Sequence, residues 1–135
     1  MSFLASIHSY WSTNSVLNTA LPASQLWTGI APESVQFPYA VITSIALIPT
    51  YTTCPTSYYA TFNFDINIYD TDPDNVEALA ATITGQFDYK AISANTMFCS
   101  RTNGPLLSVE PETAMKVYHG WIEYELVENR SLPIS

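Results

Sequence analysis

This chain of 135 residues has few basic side chains. Four Lys and Arg residues stand against twelve Asp and Glu, which gives a formal net charge of −8 at pH 7. A protein that grips nucleic acid needs a basic patch to displace the counterions around the phosphates. Lys90, Arg101, Lys116 and Arg130 are too few and too scattered to form one. We therefore expect no specific binding of DNA, although an acidic wall would let DNA pass without sticking.

Other absences exclude further classes. No run of about 18 apolar residues is present, so we expect no membrane span. Residues 1–8 lack the cationic start and apolar run of a signal peptide, and we expect Cys54 and Cys99 to be reduced and unpaired. The four glycines do not cluster, which argues against a phosphate-binding loop.

Metal-binding motifs are incomplete. Asp70, Asp72 and Asp74 resemble the start of a calcium loop, but its sixth position is Asn75 and its twelfth is Ala81. A helix cap followed by first-turn acids explains these carboxylates instead. We predict no metal ion and no cofactor.

Catalytic constellations are also weak. His8 and His119 have no Cys or His partner at zinc-finger spacing. Spacing alone leaves a Cys99–His119 nucleophile pair open, but no third orienting group accompanies it. Glu110 with Glu112, and Glu123 with Glu125, are expected to be solvated acids. The sequence predicts that the protein is not an enzyme.

The composition suits a single domain with a packed core and a contact surface. Hydrophobic residues make up 47% of the chain and charged residues 12%, about half the usual share of charge. Hydroxyl and amide groups replace the missing charges, and such groups are easier to desolvate in a contact. A soluble monomer with a Ser- and Thr-rich surface is the alternative interpretation.

A strand followed by a helix is the clearest local pattern. Apolar residues alternate with polar ones over residues 58–69, which predicts a strand with one buried face. Asp72 and Pro73 then predict the start of a helix over 73–88. The predicted core of the molecule comprises Phe62, Phe64, Ile66, Ile68, Leu79, Ile83, Ile122, Tyr124 and Leu126.

The remaining chain predicts one more helix and several strands. The helix covers residues 2–12, and the strands cover 25–30, 38–48, 96–101 and 117–127, with 38–48 covered on both faces. Segments 49–57 and 102–116 are predicted to be long loops that contact other proteins. The expected fold is one α+β domain over residues 1–135, a mainly antiparallel sheet with two helices on one face.

The last predicted strand places an indole beside carboxylates. Trp121, Glu123 and Glu125 share the strand face opposite the core face. Coverage of Trp121 by a helix of the same chain is the favoured interpretation, and contact with another chain is the alternative. The candidate interface residues are Trp27, Tyr51, Thr52, Trp121, Glu123 and Glu125.

Three segments resemble the tail-terminator (tail-completion) proteins of long-tailed bacteriophages. They are residues 25–43 (QLWTGIAPESVQFPYAVIT), residues 62–87 with their Tyr-Asp-Thr-Asp turn, and residues 118–126 (YHGWIEYEL). Their order and spacing match over about residues 3–128. Many relatives carry a basic, glycine-containing loop between the second and third strands, whereas residues 49–57 here carry no charge.

The resemblance implies a non-enzymatic structural protein of the virion, assembled in the host cytoplasm. It implies a hexameric ring that caps the tail tube, docks to the head connector or stopper protein, and lets DNA pass through its lumen without specific binding. The alternatives are another head–tail joining or neck protein and, from a different class, a small α+β ligand-binding module or hydrolase.

Overall fold

The structure is a computed structural model that describes residues 3–51, 57–94, 96–110 and 116–131. Its helices are α1 (Phe3–Thr13), α2 (Ser15–Ala20) and α3 (Pro73–Phe87). Its strands are β1 (Leu26–Thr28), β2 (Tyr39–Tyr51), β3 (Ser57–Asp70), β4 (Thr96–Glu110) and β5 (Val117–Ser131). A single turn of 3₁₀ helix, Ala23–Gln25, leads into β1.

The five strands form one sheet in the order β1-β2-β3-β5-β4. β1 runs parallel to β2, and every other neighbouring pair is antiparallel. The α+β class and the mainly antiparallel sheet predicted from sequence are confirmed. The last strand along the described chain therefore lies inside the sheet, between β3 and β4.

The core lies between one face of the sheet and the helices. All nine core residues predicted from the two periodicities are buried. The ring of Phe3 in α1 stacks on Phe62, with centroids 3.9 Å apart. Phe87 in α3 lies 5.6 Å from Tyr124. Both predicted helices thus cover the same face, and the alternation along β3 and β5 identifies that face correctly.

The cap of α3 is confirmed in atomic detail. The side chain of Asp72 accepts a hydrogen bond from the backbone N–H of Asp74 at 3.0 Å, and Pro73 is the first helical residue. This bond satisfies one of the N–H groups that have no partner within the first turn.

The chain after α1 forms an additional short helix. The sequence predicts that polar residues 12–15 end the first helix, and α1 does end at Thr13. Asn14 then caps α2, because its side chain accepts hydrogen bonds from the N–H groups of Val16 and Leu17. The buried side chain of Leu17 anchors this helix in the core. The described residues therefore contain three α-helices, one more than the sequence predicts.

In both predicted long loops, residues that the structure describes belong to strands, namely 49–51 and 57 in the first loop and 102–110 in the second. β2 continues to Tyr51 and β3 begins at Ser57, while β4 runs without interruption to Glu110. Pro49 and Pro105 are tolerated because each lies in a strand whose far side is unpaired among the described residues. Thr52, Cys54 and Glu112 lie outside the described residues.

The sequence predicts that strand β2 is covered on both faces. In the structure, among the side chains described, only its first half is buried. Val41 and Ile42 are buried, but past a register irregularity between Thr43 and Ala46 the strand carries exposed Leu47 and Ile48. The helices do not cover this half of β2, so its apolar residues face solvent in the single chain.

Candidate interaction surface

The face of the sheet opposite the helices is the candidate interaction surface, and we call it the open face. The pairing register assigns to it Trp27, Tyr39, Val41, Asp65, Asn67, Tyr69, His119, Trp121, Glu123 and Glu125. The helices of the described residues cover the other face, so none of them covers Trp121, and the favoured prediction of a helix over this indole is wrong for the described part of the chain. Trp121 is half-buried.

Aromatic rings form a ladder across three strands of the open face. Tyr39 and Tyr69 stack with centroids 5.0 Å apart, and Tyr69 stacks on the imidazole of His119 at 4.5 Å. Trp121 lies 5.1 Å from His119 in a tilted arrangement, and Phe37 continues the ladder 5.5 Å from Tyr39. Cross-strand aromatic pairs of this kind stabilise a sheet and hold the rings in place.

Asn67 connects the ladder to the next row of side chains. Its amide nitrogen donates to the backbone oxygen of Val41 at 3.2 Å and to the hydroxyl of Thr43 at 2.7 Å. Its oxygen lies 2.7 Å from Nε2 of His119. Because that oxygen only accepts, Nε2 of His119 carries the proton. The imidazole therefore has a fixed orientation in the ladder.

The far end of the open face is acidic. Asp65 pairs directly with Glu123, and Glu125 follows on the same face of β5. Like charges at opposed positions repel one another. Among the side chains that the structure describes, the strands carry one basic residue, Arg101, which forms a 3.2 Å ion pair with Asp88 on the helix side. The open face thus has an aromatic end and an anionic end.

Four of the six candidate interface residues lie together on the open face. Trp27 and Trp121 occupy one register row that runs through Val41 and Asn67, three strands apart or about 14 Å. Glu123 and Glu125 follow Trp121 on the same face of β5. Of Tyr51 the structure describes only the backbone, at the end of β2, and Thr52 lies outside the described residues.

The two edges of the sheet carry exposed apolar patches that the sequence analysis did not identify. The β2 edge patch consists of Ile45, Leu47 and Ile48, on the part of β2 that extends past the short β1. The β4 edge patch consists of Leu106, Leu107 and Val109. A groove of about 530 Å³ between α3 and β4 adjoins Leu106 and Leu107. Strand order, which brings these residues to the edges, has no local signature in the sequence.

The geometry does not assemble a Cys–His nucleophile. Cys99 pairs with Leu126 on the helix face, whereas His119 lies on the open face. Burial, followed by the charge of Asp88, raises the pKa of the Cys99 thiol to about 12. The described segments contain no group of three His, Cys, Asp or Glu side chains placed to hold a metal ion. Cys99 is a free buried thiol, as predicted.

No helix in the described part of the chain is long and apolar enough to span a membrane.

No protein-family model matches the sequence, and no curated protein matches it. Among solved structures, a chain from the virion of a native gene transfer agent (GTA) particle is similar with a TM-score of 0.66. The match covers 92% of this chain and 92% of that chain at 12% sequence identity. The two chains share a fold over almost their whole length.

Proposed function

We propose that this protein is a non-enzymatic structural component of a bacteriophage or phage-like virion, and that it acts as a tail terminator. The observation that carries the proposal is the fold shared with a chain of the GTA virion over 92% of both molecules. The order of the three tail-terminator-like segments in the sequence supports the same assignment. In this role the protein caps the tail tube and joins it to the head connector or stopper protein.

The placement of the apolar patches supports a ring. The β2 edge patch and the β4 edge patch lie on opposite edges of the sheet, so they can meet only between different copies. A contact between two different patches is heterologous, and repeated by rotation it produces a closed ring or a filament. Trp27 adjoins one edge, and Trp121 pairs with Leu106 beside the other. Each indole is thus placed to extend the contact.

Six copies give a ring of suitable size. A domain of this length has a radius of gyration of roughly 14 Å and a diameter of about 35 Å. Six touching domains leave a hole about one domain wide, which is wider than a DNA duplex. With a net charge of −8 on each copy, the wall of that hole repels phosphate and keeps the channel open. Residues 49–57, together with the part of 102–116 that lies beyond Val109, are proposed to contact the neighbouring rings, because Leu106, Leu107 and Val109 belong to the contact within the ring.

Electron microscopy of the purified protein, alone and mixed with tail tubes, tests this function. We expect sixfold rings that bind the end of a tube and stop further tube subunits from adding. Rings with another number of copies would refute the sixfold arrangement. Binding to the head connector with no binding to tubes would favour a head–tail joining protein instead.

The edge contact has its own test. Leu107 is 53% exposed, so Leu107→Asp should leave the melting temperature unchanged while converting rings to monomers in mass photometry. Val16→Asp is the matched control, because Val16 is 48% exposed on α2, away from both patches. Intact rings with Leu107→Asp, or equal loss with Val16→Asp, would contradict the edge contact.

A further inference from the structure

A pocket of about 270 Å³ on the helix side of the molecule contains a buried carboxylate. It lies between α2, α3 and the end of β3. Ala20, Pro38 and Ala78 contribute apolar walls, and Asp70, Asn75 and Thr82 contribute polar groups. The pocket is separate from the open face and from both edge patches.

Asp70 is incompletely paired. The residue is 5% exposed. Its Oδ1 accepts a hydrogen bond from the N–H of Thr71 at 2.7 Å. Its Oδ2 is buried and has no hydrogen-bond donor among the described residues. A buried polar atom normally has a partner, because desolvation without a hydrogen bond is costly. The fold has already desolvated this carboxylate, so a cation that enters the pocket gains the interaction without that cost being incurred again.

The composition of the pocket selects the type of cation. A metal ion such as Ca²⁺ takes six or more oxygen ligands, and one carboxylate with one amide and one hydroxyl falls short of that number. A guanidinium group pairs best with both oxygens of a carboxylate. Here Oδ1 is already engaged by Thr71, which leaves one oxygen. A single free oxygen suits the compact ammonium group of lysine, whose aliphatic stem matches the apolar walls.

We propose that this pocket binds the lysine side chain of another protein chain, with the ammonium group at Asp70. The lysine comes either from a second copy, through Lys90 or Lys116, or from a different protein of the particle. Both of these lysines are exposed in the single chain. Binding of an ammonium group to the single chain can be measured whether or not the protein forms rings or caps tubes.

Titration with n-butylammonium, followed by NMR of the protein, tests the chemistry directly. We expect a dissociation constant of roughly millimolar order, as for any ligand of so few atoms, with shifts centred on Asn75 and Ala78. The neutral isostere n-butanol should bind at least about fivefold more weakly, and Asp70→Asn should weaken n-butylammonium binding by a similar factor. Glu77→Gln, at an exposed acid on the neighbouring α3, is the control for net charge and should change nothing.

Three outcomes would overturn the proposal. They are equal binding of n-butanol, equal weakening by Glu77→Gln, and tighter binding of n-butylguanidinium than of n-butylammonium. The amide spectrum of Asp70→Asn verifies that the variant is folded. If the wild-type protein fails to form rings, the proposed function fails, while this titration still decides whether the pocket binds an ammonium group.

Variants then identify the source of the lysine. If a second copy supplies it, Asp70→Asn and the double variant Lys90→Ala/Lys116→Ala should reduce ring formation alike. If a different protein supplies it, both variants should form rings normally, and Asp70→Asn alone should weaken binding to tail tubes or to the head connector. An Asp70→Asn variant with normal ring formation and normal binding to both partners would refute the proposal.

Discussion

At the scale of single residues, the core side chains hold the sheet to the helices. Phe64 and Ile83 are fully buried, on β3 and α3 respectively. Truncating either one to Ala leaves a cavity as well as removing buried apolar surface, so each change should cost about 2–5 kcal/mol of the free energy of unfolding. Chemical denaturation measures this. Val16→Ala, at an exposed position, should cost far less, and an equal loss there would contradict the assigned core.

The thiol of Cys99 should be chemically inert in the folded protein. Its raised pKa of about 12 leaves only about one molecule in ten thousand as thiolate at pH 8. We therefore expect iodoacetamide at pH 8 to leave Cys99 unmodified in the native protein and to label it in urea, as peptide mass mapping would show. Native labelling at the unfolded rate would refute the burial of this side chain.

At the scale of elements, two glycines should respond in opposite ways to the same change. Gly85 lies in α3 with open space around the site of a Cβ, so Gly85→Ala should stabilise the protein by about 0.5–1 kcal/mol. Gly104 has φ +94°, and an added Cβ would lie 2.7 Å from the backbone oxygen of Trp121. Gly104→Ala should therefore destabilise by about 1–3 kcal/mol or more.

Thermal melting of both glycine variants measures the difference. If Gly104→Ala instead stabilises the protein, β4 does not approach the backbone of Trp121 in β5 as closely as the 2.7 Å distance indicates.

Periodicity predicts the faces of the elements, but it does not predict which strands are edges. The alternation from Phe62 to Ile68 determines which side chains enter the core, because successive side chains of a strand point to opposite faces of the sheet. The sequence predicts loops where the ends of β2 and β4 lie, because Pro49, Gly104 and Pro105 normally interrupt strands. A sheet tolerates such residues at an edge, and edge position depends on strand order, which is a property of the whole chain.

The same limit applies to the candidate surface. The sequence places Trp121, Glu123 and Glu125 on one face of one strand, and the structure agrees. Tyr39, Tyr69 and His119 form a single ladder because of the register among three strands. The sequence alone does not predict that register.

At the scale of the whole molecule, the open face can be separated from the stability of the single chain. Because no helix of the described residues covers Trp121, Trp121→Ala should weaken ring assembly, measured by mass photometry, and should lower the melting temperature by no more than the loss of one cross-strand aromatic contact. If the melting temperature instead falls by several degrees while assembly is retained, Trp121 stabilises the single chain and does not contribute to the contact between copies. Glu33→Gln, at an exposed position away from the sheet, controls for general effects of substitution.

The position of β5 also orders events during synthesis. This strand is the last in the described chain, yet it pairs with both β3 and β4. Until the ribosome has released residues 117–131, β4 lacks β5, which is its neighbour among the described strands, and the groove between α3 and β4 cannot form. A partly made chain therefore presents only one of the two apolar edges. In the ring that we propose, a copy can therefore contact both of its neighbours only after β5 has been synthesised and has paired with β4.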